Sequence, residues 1–332
     1  MKHAKFFALT SFVLLLSYGA LGFYFLPLAG FQGDLTRLAL LPESQYGQRQ
    51  NQPAIEAKLF SQATMADADV LVIGDSFSVD YVWQTALVKQ GLKVRTETWD
   101  TVRGVCNDFM PWLTAQGFKG KFVVLEIIER NIHDVLQKSL ACTAMDTHTN
   151  IATDRPRSPP ASSFNPDVAN RSGRMSIGLQ TALNAAHHQQ LTDEAAFQSI
   201  ALDNGTTLAK VQNGCALFSH RRCATALFLT GEKMEDLAEE DLVAVAKLNE
   251  RLTGITPIWA FVPNKSTSYF YPDKQFWNKA EQRFNAPNLL RVNQHAIANQ
   301  TVDLYPANNT HFSTTGYLLM GASIYQTIQH AR

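Results

Sequence analysis

Apolar positions fall into a few dense blocks separated by polar stretches, and the period inside each block differs. From Phe6 to Phe31 no charged residue occurs, and Lys2, His3 and Lys5 precede the run. About 20 apolar residues cross roughly 30 Å of hydrocarbon. The pattern therefore predicts one transmembrane helix, and its positive flank favours a cytoplasmic amino end with the remainder exported. Small residues at Gly19, Ala20 and Gly22 are followed by further apolar residues. That order fits an uncleaved signal anchor better than a cleaved signal peptide.

Beyond a Gln-rich juxtamembrane stretch at 32–65, Val70 to Ile73 is wholly apolar and rich in β-branched residues, as a strand buried on both faces should be. Further strands are expected at Lys93–Thr98, Lys121–Ile128 and Ile258–Val262, with another strand region around Val302–Tyr305. Helices are expected at Val79–Gln90, at Gly231–Thr253 (Leu237, Leu242, Val245, Leu248 and Leu252 form its apolar side) and at Thr315–Ile328. Strands alternating with helices imply an α/β domain with a central parallel sheet. The expected organisation is an anchor at 1–31, the juxtamembrane segment at 32–65, and one domain at 66–332 with an insertion at about 142–230. Within that insertion, 142–170 reads as a long loop carrying Arg155-Pro-Arg-Ser-Pro-Pro, and 171–230 as mixed structure. Neither an internal repeat nor a second complete domain is visible.

Composition narrows the picture. Of 332 residues 45% are hydrophobic and 17% charged, which excludes general disorder. The 29 basic and 29 acidic residues cancel, so no global field draws in nucleic acid. Four cysteines in an exported body can pair: Cys215 with Cys223 and Cys106 with Cys142 is the expected choice among three connectivities, against buried free thiols. No CxxC or HxxxH spacing supports a metal, and the sequence calls for no cofactor.

The candidate chemistry begins at Val72-Ile-Gly-Asp-Ser-Phe-Ser. Ligands of α/β sheets bind beyond the carboxyl ends of the strands, so Ser76 is expected at such a crevice. The alternative is that Ser76 or Ser78 caps the following helix. A serine nucleophile needs a base, and His311, in Asn308-Asn-Thr-His-Phe-Ser before the last helix, is the best candidate.

On these residues the chain resembles the SGNH hydrolase superfamily, most of all its periplasmic, membrane-anchored branch related to alginate O-acetyltransferase proteins. Gly74-Asp75-Ser76 matches the nucleophile block, and Asn308-Asn309-Thr310-His311 stands where the family has Asp-x-x-His. Glu126-Ile-Ile-Glu-Arg130-Asn131 and Val262-Pro-Asn-Lys-Ser-Thr-Ser-Tyr269 add branch similarity, so the match spans 70–325 with the middle insertion unmatched. The resemblance implies a three-layer fold, with oxyanion donors at Gly104 and Asn131, although Glu129-Arg130-Asn131 replaces the usual Gly-x-Asn. Asn308 departs from the family's carboxylate. It can orient an imidazole without compensating its charge; Asp303, eight residues before His311, or Asp75 or Asp80, are the other options. Arg130, Lys265, Ser266 and Tyr269 are candidate substrate contacts, with Phe270, Tyr271 and Trp277 adding an aromatic surface. The implied activity is O-acetyl transfer onto an exported polysaccharide or cell-envelope glycan, at the outer side of a bacterial cytoplasmic membrane. A multi-spanning membrane O-acyltransferase would supply the acetyl groups. An O-acetyl esterase, or a degenerate glycan-binding or scaffold protein, are the alternatives.

Overall fold

A computed structural model describes residues 2–146, 157–168, 173–192, 198–202, 204–232 and 236–331. Seven strands run in chain order as β1 Val70–Gly74, β2 Val94–Thr98, β3 Phe122–Ile128, β4 Ser199–Leu202, β5 Thr206–Lys210, β6 Thr225–Leu229 and β7 Thr256–Val262. The chain divides into two compact units. The larger comprises 51–162, 232–305 and 311–332, and the smaller 1–50, 163–231 and 306–310.

The larger unit is built on a four-stranded parallel sheet of order β2-β1-β3-β7. Parallel strands need long crossovers, and the helices that supply them cover both faces. Alternate residues of one strand therefore enter different cores. Leu71, Ile73, Val123, Leu125, Ile127, Trp259 and Phe261 point into one, with the helices Phe109–Ala115, Ile132–Ala141, Glu239–Asn249 and Phe276–Phe284. Val70, Val72, Phe122, Val124, Ile258, Ala260 and Val262 point into the other, with Gln84–Lys89, Leu289–Ala298 and Thr314–His330. This explains why β1 and the centre of β3 carry no apolar–polar alternation: neither face of either strand meets water. Edge strand β2 differs, for its Arg95 and Glu97 are both buried and form an ion pair at 2.7 Å.

Three expected elements change. The helix expected at Val79–Gln90 contracts to Gln84–Lys89, because Tyr81 takes a left-handed conformation (φ 59°) and the preceding residues form turns. The long helix expected at Gly231–Thr253 is confined to Glu239–Asn249 among the described residues. Val302–Tyr305 is not a strand: Asp303 has φ 54°, which breaks extended backbone, yet Leu304 and Tyr305 are fully buried. Of the expected loop at 142–170, residues 147–156 and 169–170 lie outside the described residues, and the rest carries neither helix nor strand.

The smaller unit holds an antiparallel sheet, β4-β5-β6, packed on its own core of Leu35, Leu41, Tyr46, Leu202, Leu208 and Leu227. The stretch read as an insertion thus contributes a second core, shared with residues before β1, and the expected juxtamembrane segment divides between the units at Gln50. This unit also carries the helix Lys2–Phe25. With the turn that follows, His3–Ala29 is long and apolar enough to cross a membrane.

Both expected disulfides form, Cys106–Cys142 in the larger unit and Cys215–Cys223 in the smaller. They fit an oxidising compartment. The first closes a loop of 36 residues and the second one of 8. Loop-closure entropy assigns them about 4 and about 2.5 kcal/mol respectively. The paired serine variants are expected to lose stability in that order, read from denaturant midpoints with and without reductant; equal losses would contradict the loop-length account.

Candidate active site

β1 delivers the candidate nucleophile through a turn that has no spare room. A Cβ on Gly74 would stand 2.3 Å from Ser78 Oγ and 2.6 Å from Glu126 Oε2, so only glycine fits. Beyond it the Asp75 carboxylate is consumed by the backbone: Phe77 N–H donates to Oδ1 at 3.0 Å and Ile128 N–H to Oδ2 at 2.7 Å. Asp75 is thereby a clasp between the β1 turn and the end of β3. The two serines of the motif then separate in role. Ser78 is buried, donating to Glu126 Oε2 at 2.7 Å and accepting from Trp83 Nε1 at 3.1 Å. Ser76 is exposed. Neither caps the helix, which starts only at Gln84.

His311 meets Ser76 directly, Nε2 to Oγ at 2.9 Å. The imidazole lies against the Phe77 ring, with centroids 4.8 Å apart, and Phe77 is wedged in turn against Phe312 and Tyr317. A hydrogen bond of this length between imidazole and hydroxyl is the geometry of a general base on a nucleophile.

Ser76 opens onto a pocket of about 620 Å³. One wall is the short helix Trp99–Val102 and the residue after it, giving Trp99, Asp100 and Arg103. The other is a single face of the helix Ile132–Ala141 and its preceding residue: Asn131, Asp134, Val135 and Lys138, at helical spacings of three and four. Trp99 is fixed by its indole N–H, which donates to the Glu126 carbonyl at 2.7 Å. Arg103 takes a left-handed conformation (φ 65°) as it ends its helix.

Glu126 is therefore a hub, linking the nucleophile turn through its carboxyl and the pocket wall through its carbonyl. Its Oε2 also accepts the Asp75 N–H at 3.0 Å. Full burial, and secondly the Asp75 charge, push its pKa well above the ordinary carboxylate value.

The other sequence candidates are dispersed. Asn131 shares the pocket with Ser76. Gly104 is buried against Ser139, and Arg103 takes the place at the pocket lining that was expected of it. Arg130 turns to Asn264 Oδ1 at 3.4 Å and Glu232 at 4.0 Å. Lys265 is 1% exposed, and Ser266 is buried with its N–H on Glu232 Oε2 at 3.0 Å, so neither offers a surface to a polymer. Burial raises the Glu232 carboxyl. The Tyr269 hydroxyl is also enclosed, and burial pushes its pKa up. Trp277, expected on an aromatic surface, is a core residue whose indole N–H donates to the Phe261 carbonyl at 2.8 Å. Asn308 is buried in the smaller unit, where its amide donates to Glu43 and its carbonyl accepts Leu35 N–H at 3.0 Å. Asp303 is fully buried and its charge acts on Tyr269. Asp80 is exposed and pairs with Arg157 at 3.7 Å. Among the described residues no group of three or more His, Cys, Asp or Glu side chains could hold a metal ion.

The sequence pattern offers Glu126 only within a similar block or as a partner for Arg130, and gives no role to Trp99, Arg103, Asp134 or Lys138. The signal for Glu126 was present: a lone carboxylate inside an otherwise apolar strand. The face Asn131-Asp134-Val135-Lys138 was legible as helical spacing, but nothing in the spacing says what that face borders. No family model, curated protein or solved structure matches this chain.

Two outcomes follow. Gly74→Ala should cost about 1–3 kcal/mol by overpacking against Ser78 and Glu126, measured by denaturant unfolding. The raised Glu126 pKa means that its stabilisation is complete below its ordinary value of 4.5 and is lost as pH rises toward the folded value. Glu126→Gln keeps an acceptor for Asp75 and Ser78 without ionising. Its Tm relative to the parent should therefore climb steadily as pH rises, and a difference independent of pH would rule out a buried neutral acid.

Proposed function

We propose that this chain is a membrane-anchored serine O-acyltransferase that acetylates hydroxyl groups of an exported polysaccharide or cell-envelope glycan. The observation that carries this reading is the 2.9 Å contact of His311 Nε2 with the exposed Ser76 Oγ at the mouth of the pocket. In this mechanism Nε2 takes the Ser76 proton as Oγ attacks the carbonyl carbon of an acyl donor. The Ser76 backbone N–H and the Asn131 amide, in the same pocket, are the candidates to stabilise the tetrahedral oxyanion. His311 then returns its proton to the leaving group. A sugar hydroxyl, deprotonated by the same imidazole, attacks the acyl-enzyme and carries the acetyl group away.

The pocket supports a carbohydrate acceptor through the fixed Trp99 indole and the polar side chains Asp100, Asn131, Asp134 and Lys138 around it. The helix Lys2–Phe25 supports anchoring, and the disulfides support an exported body at the outer side of a bacterial cytoplasmic membrane. A multi-spanning membrane O-acyltransferase would be the donor-side partner. Hydrolysis is the second reading: Ser76 is exposed at an open pocket, and water reaching the acyl-enzyme would make the same residues an esterase.

The purified protein in detergent, given an activated acetyl ester and a panel of glycans, should place acetyl on sugar as read by mass spectrometry. Ser76→Ala and His311→Ala should each reduce this by about 10³-fold or more. Acetate release without transfer would move the assignment to esterase. Product formation unaffected by Ser76→Ala would end the catalytic reading, leaving glycan binding or scaffolding.

A further inference from the structure

The longest helix after the anchor, Met175–Thr192, has no role in the chemistry above. It contains 18 residues, none of them Asp, Glu, Lys or Arg. An 18-residue soluble helix in contact with water on one side would ordinarily carry several charges on that side. Here Leu179 and Leu183 are 44% and 63% exposed, and their spacing of four puts them on one face. Ser176, Gln180, Ala186, His187, Gln189 and Gln190 are the other exposed residues of the helix. The surface is apolar and polar-neutral, with Arg174 standing just before its first turn.

The packing of this helix fixes its depth. A Cβ on Gly178 would lie 1.8 Å from the Phe25 carbonyl oxygen, and one on Gly173 would lie 2.2 Å from Ala29 Cβ. The two glycines thus seat the segment against the last turn of the anchor, with residue 173 beside Ala29 and residue 178 beside Phe25. Reading from 173 to 178 therefore runs back along the anchor toward its apolar body. The 24 residues of Lys2–Phe25 are about 36 Å long. Hydrocarbon is roughly 30 Å thick, so a span that begins at the cationic Lys2 and Lys5 would bring Phe25 near its far edge. Leu179, adjoining Gly178, would then stand near the same level. One turn on, Asn184 Nδ2 donates to the Ala39 carbonyl at 3.3 Å, which brings the helix Asp34–Ala39 and its exposed Leu38 (39%) alongside.

We propose that the helix Met175–Thr192 is a lipid-facing interfacial element, with Leu179, Leu183 and Leu38 entering the acyl boundary of the membrane crossed by the anchor. The smaller unit is then held to the bilayer by the span together with this apolar face. Two close glycines, an uncharged helix and paired exposed leucines all have one explanation, because the glycines bring to the interface a face that water would not favour.

The experiment uses the full chain in lipid nanodiscs. The described cysteines are all in disulfides, so single cysteines introduced by Leu183→Cys and Leu15→Cys can be labelled with an environment-sensitive fluorophore. Both sites are exposed in the fold, which spares the core. Lipids carrying a nitroxide near the headgroup should quench the Leu183 probe several-fold more than lipids carrying it at the chain end. The reverse order is expected for the Leu15 probe, in the middle of the span. A Leu183 probe quenched no more than free fluorophore in solution would overturn the proposal. So would a blue-shifted but unquenched probe, which would mean that a second copy or another protein covers the face. Absence of quenching at Leu15 would remove the span itself, and the interfacial assignment with it.

Discussion

The contact between the β1 turn and the buried Glu126 side chain is the constraint on which the larger unit's chemistry depends. Gly74 leaves no volume for a side chain, Ser78 and the Asp75 N–H close on one carboxyl oxygen, and the Asp75 carboxylate pins the turn to the end of β3. Three polar interactions and one steric limit thus converge on the motif, Glu126 and the end of β3. Their combined effect is to leave Ser76 as the residue with nowhere to go but outward. Exposure of Ser76 is accordingly a product of how thoroughly its neighbours are tied down, as a preorganised site would require.

That arrangement also bears on how readily the core acid gives up its proton. An ionised Glu126 would face the Asp75 charge in a fully buried setting, and both burial and that charge raise its pKa. Two other buried acids are treated differently. Glu129 is paired with Lys274 at 2.6 Å, and Glu97 with Arg95 at 2.7 Å. One acid holds the turn as a hydrogen-bonding group, while these two are compensated charges in the framework.

Most of the sheet was legible from the sequence because β1, β3 and β7 are largely buried on both faces and read as mainly apolar runs, with Glu126 the exception inside β3. Ser76 was legible because it follows a strand that the pattern defines, and His311 because it precedes the last helix; the strand expected ahead of His311 is absent. What was not legible depended on long-range packing. The block Asn264 to Ser268 looks like a polar loop, and polarity alone suggests exposure, yet all five residues are buried because Glu232, Asn293 and other partners satisfy part of their hydrogen bonding. Asn308 likewise reads as a partner for His311 by spacing, whereas its amide is taken by a glutamate 265 positions earlier in the chain. The smaller unit escaped notice because its core is assembled from two stretches far apart in the chain, around residues 35–46 and 200–229, neither of which announces a domain alone.

The Ser76–His311 pair has a consequence for the life of the protein before it is finished. Its members are 235 positions apart, and they meet only when the last helix has docked on the sheet that the first strand began. A chain made from its amino end carries its serine long before its histidine, so this contact is among the last that the order of synthesis allows to form.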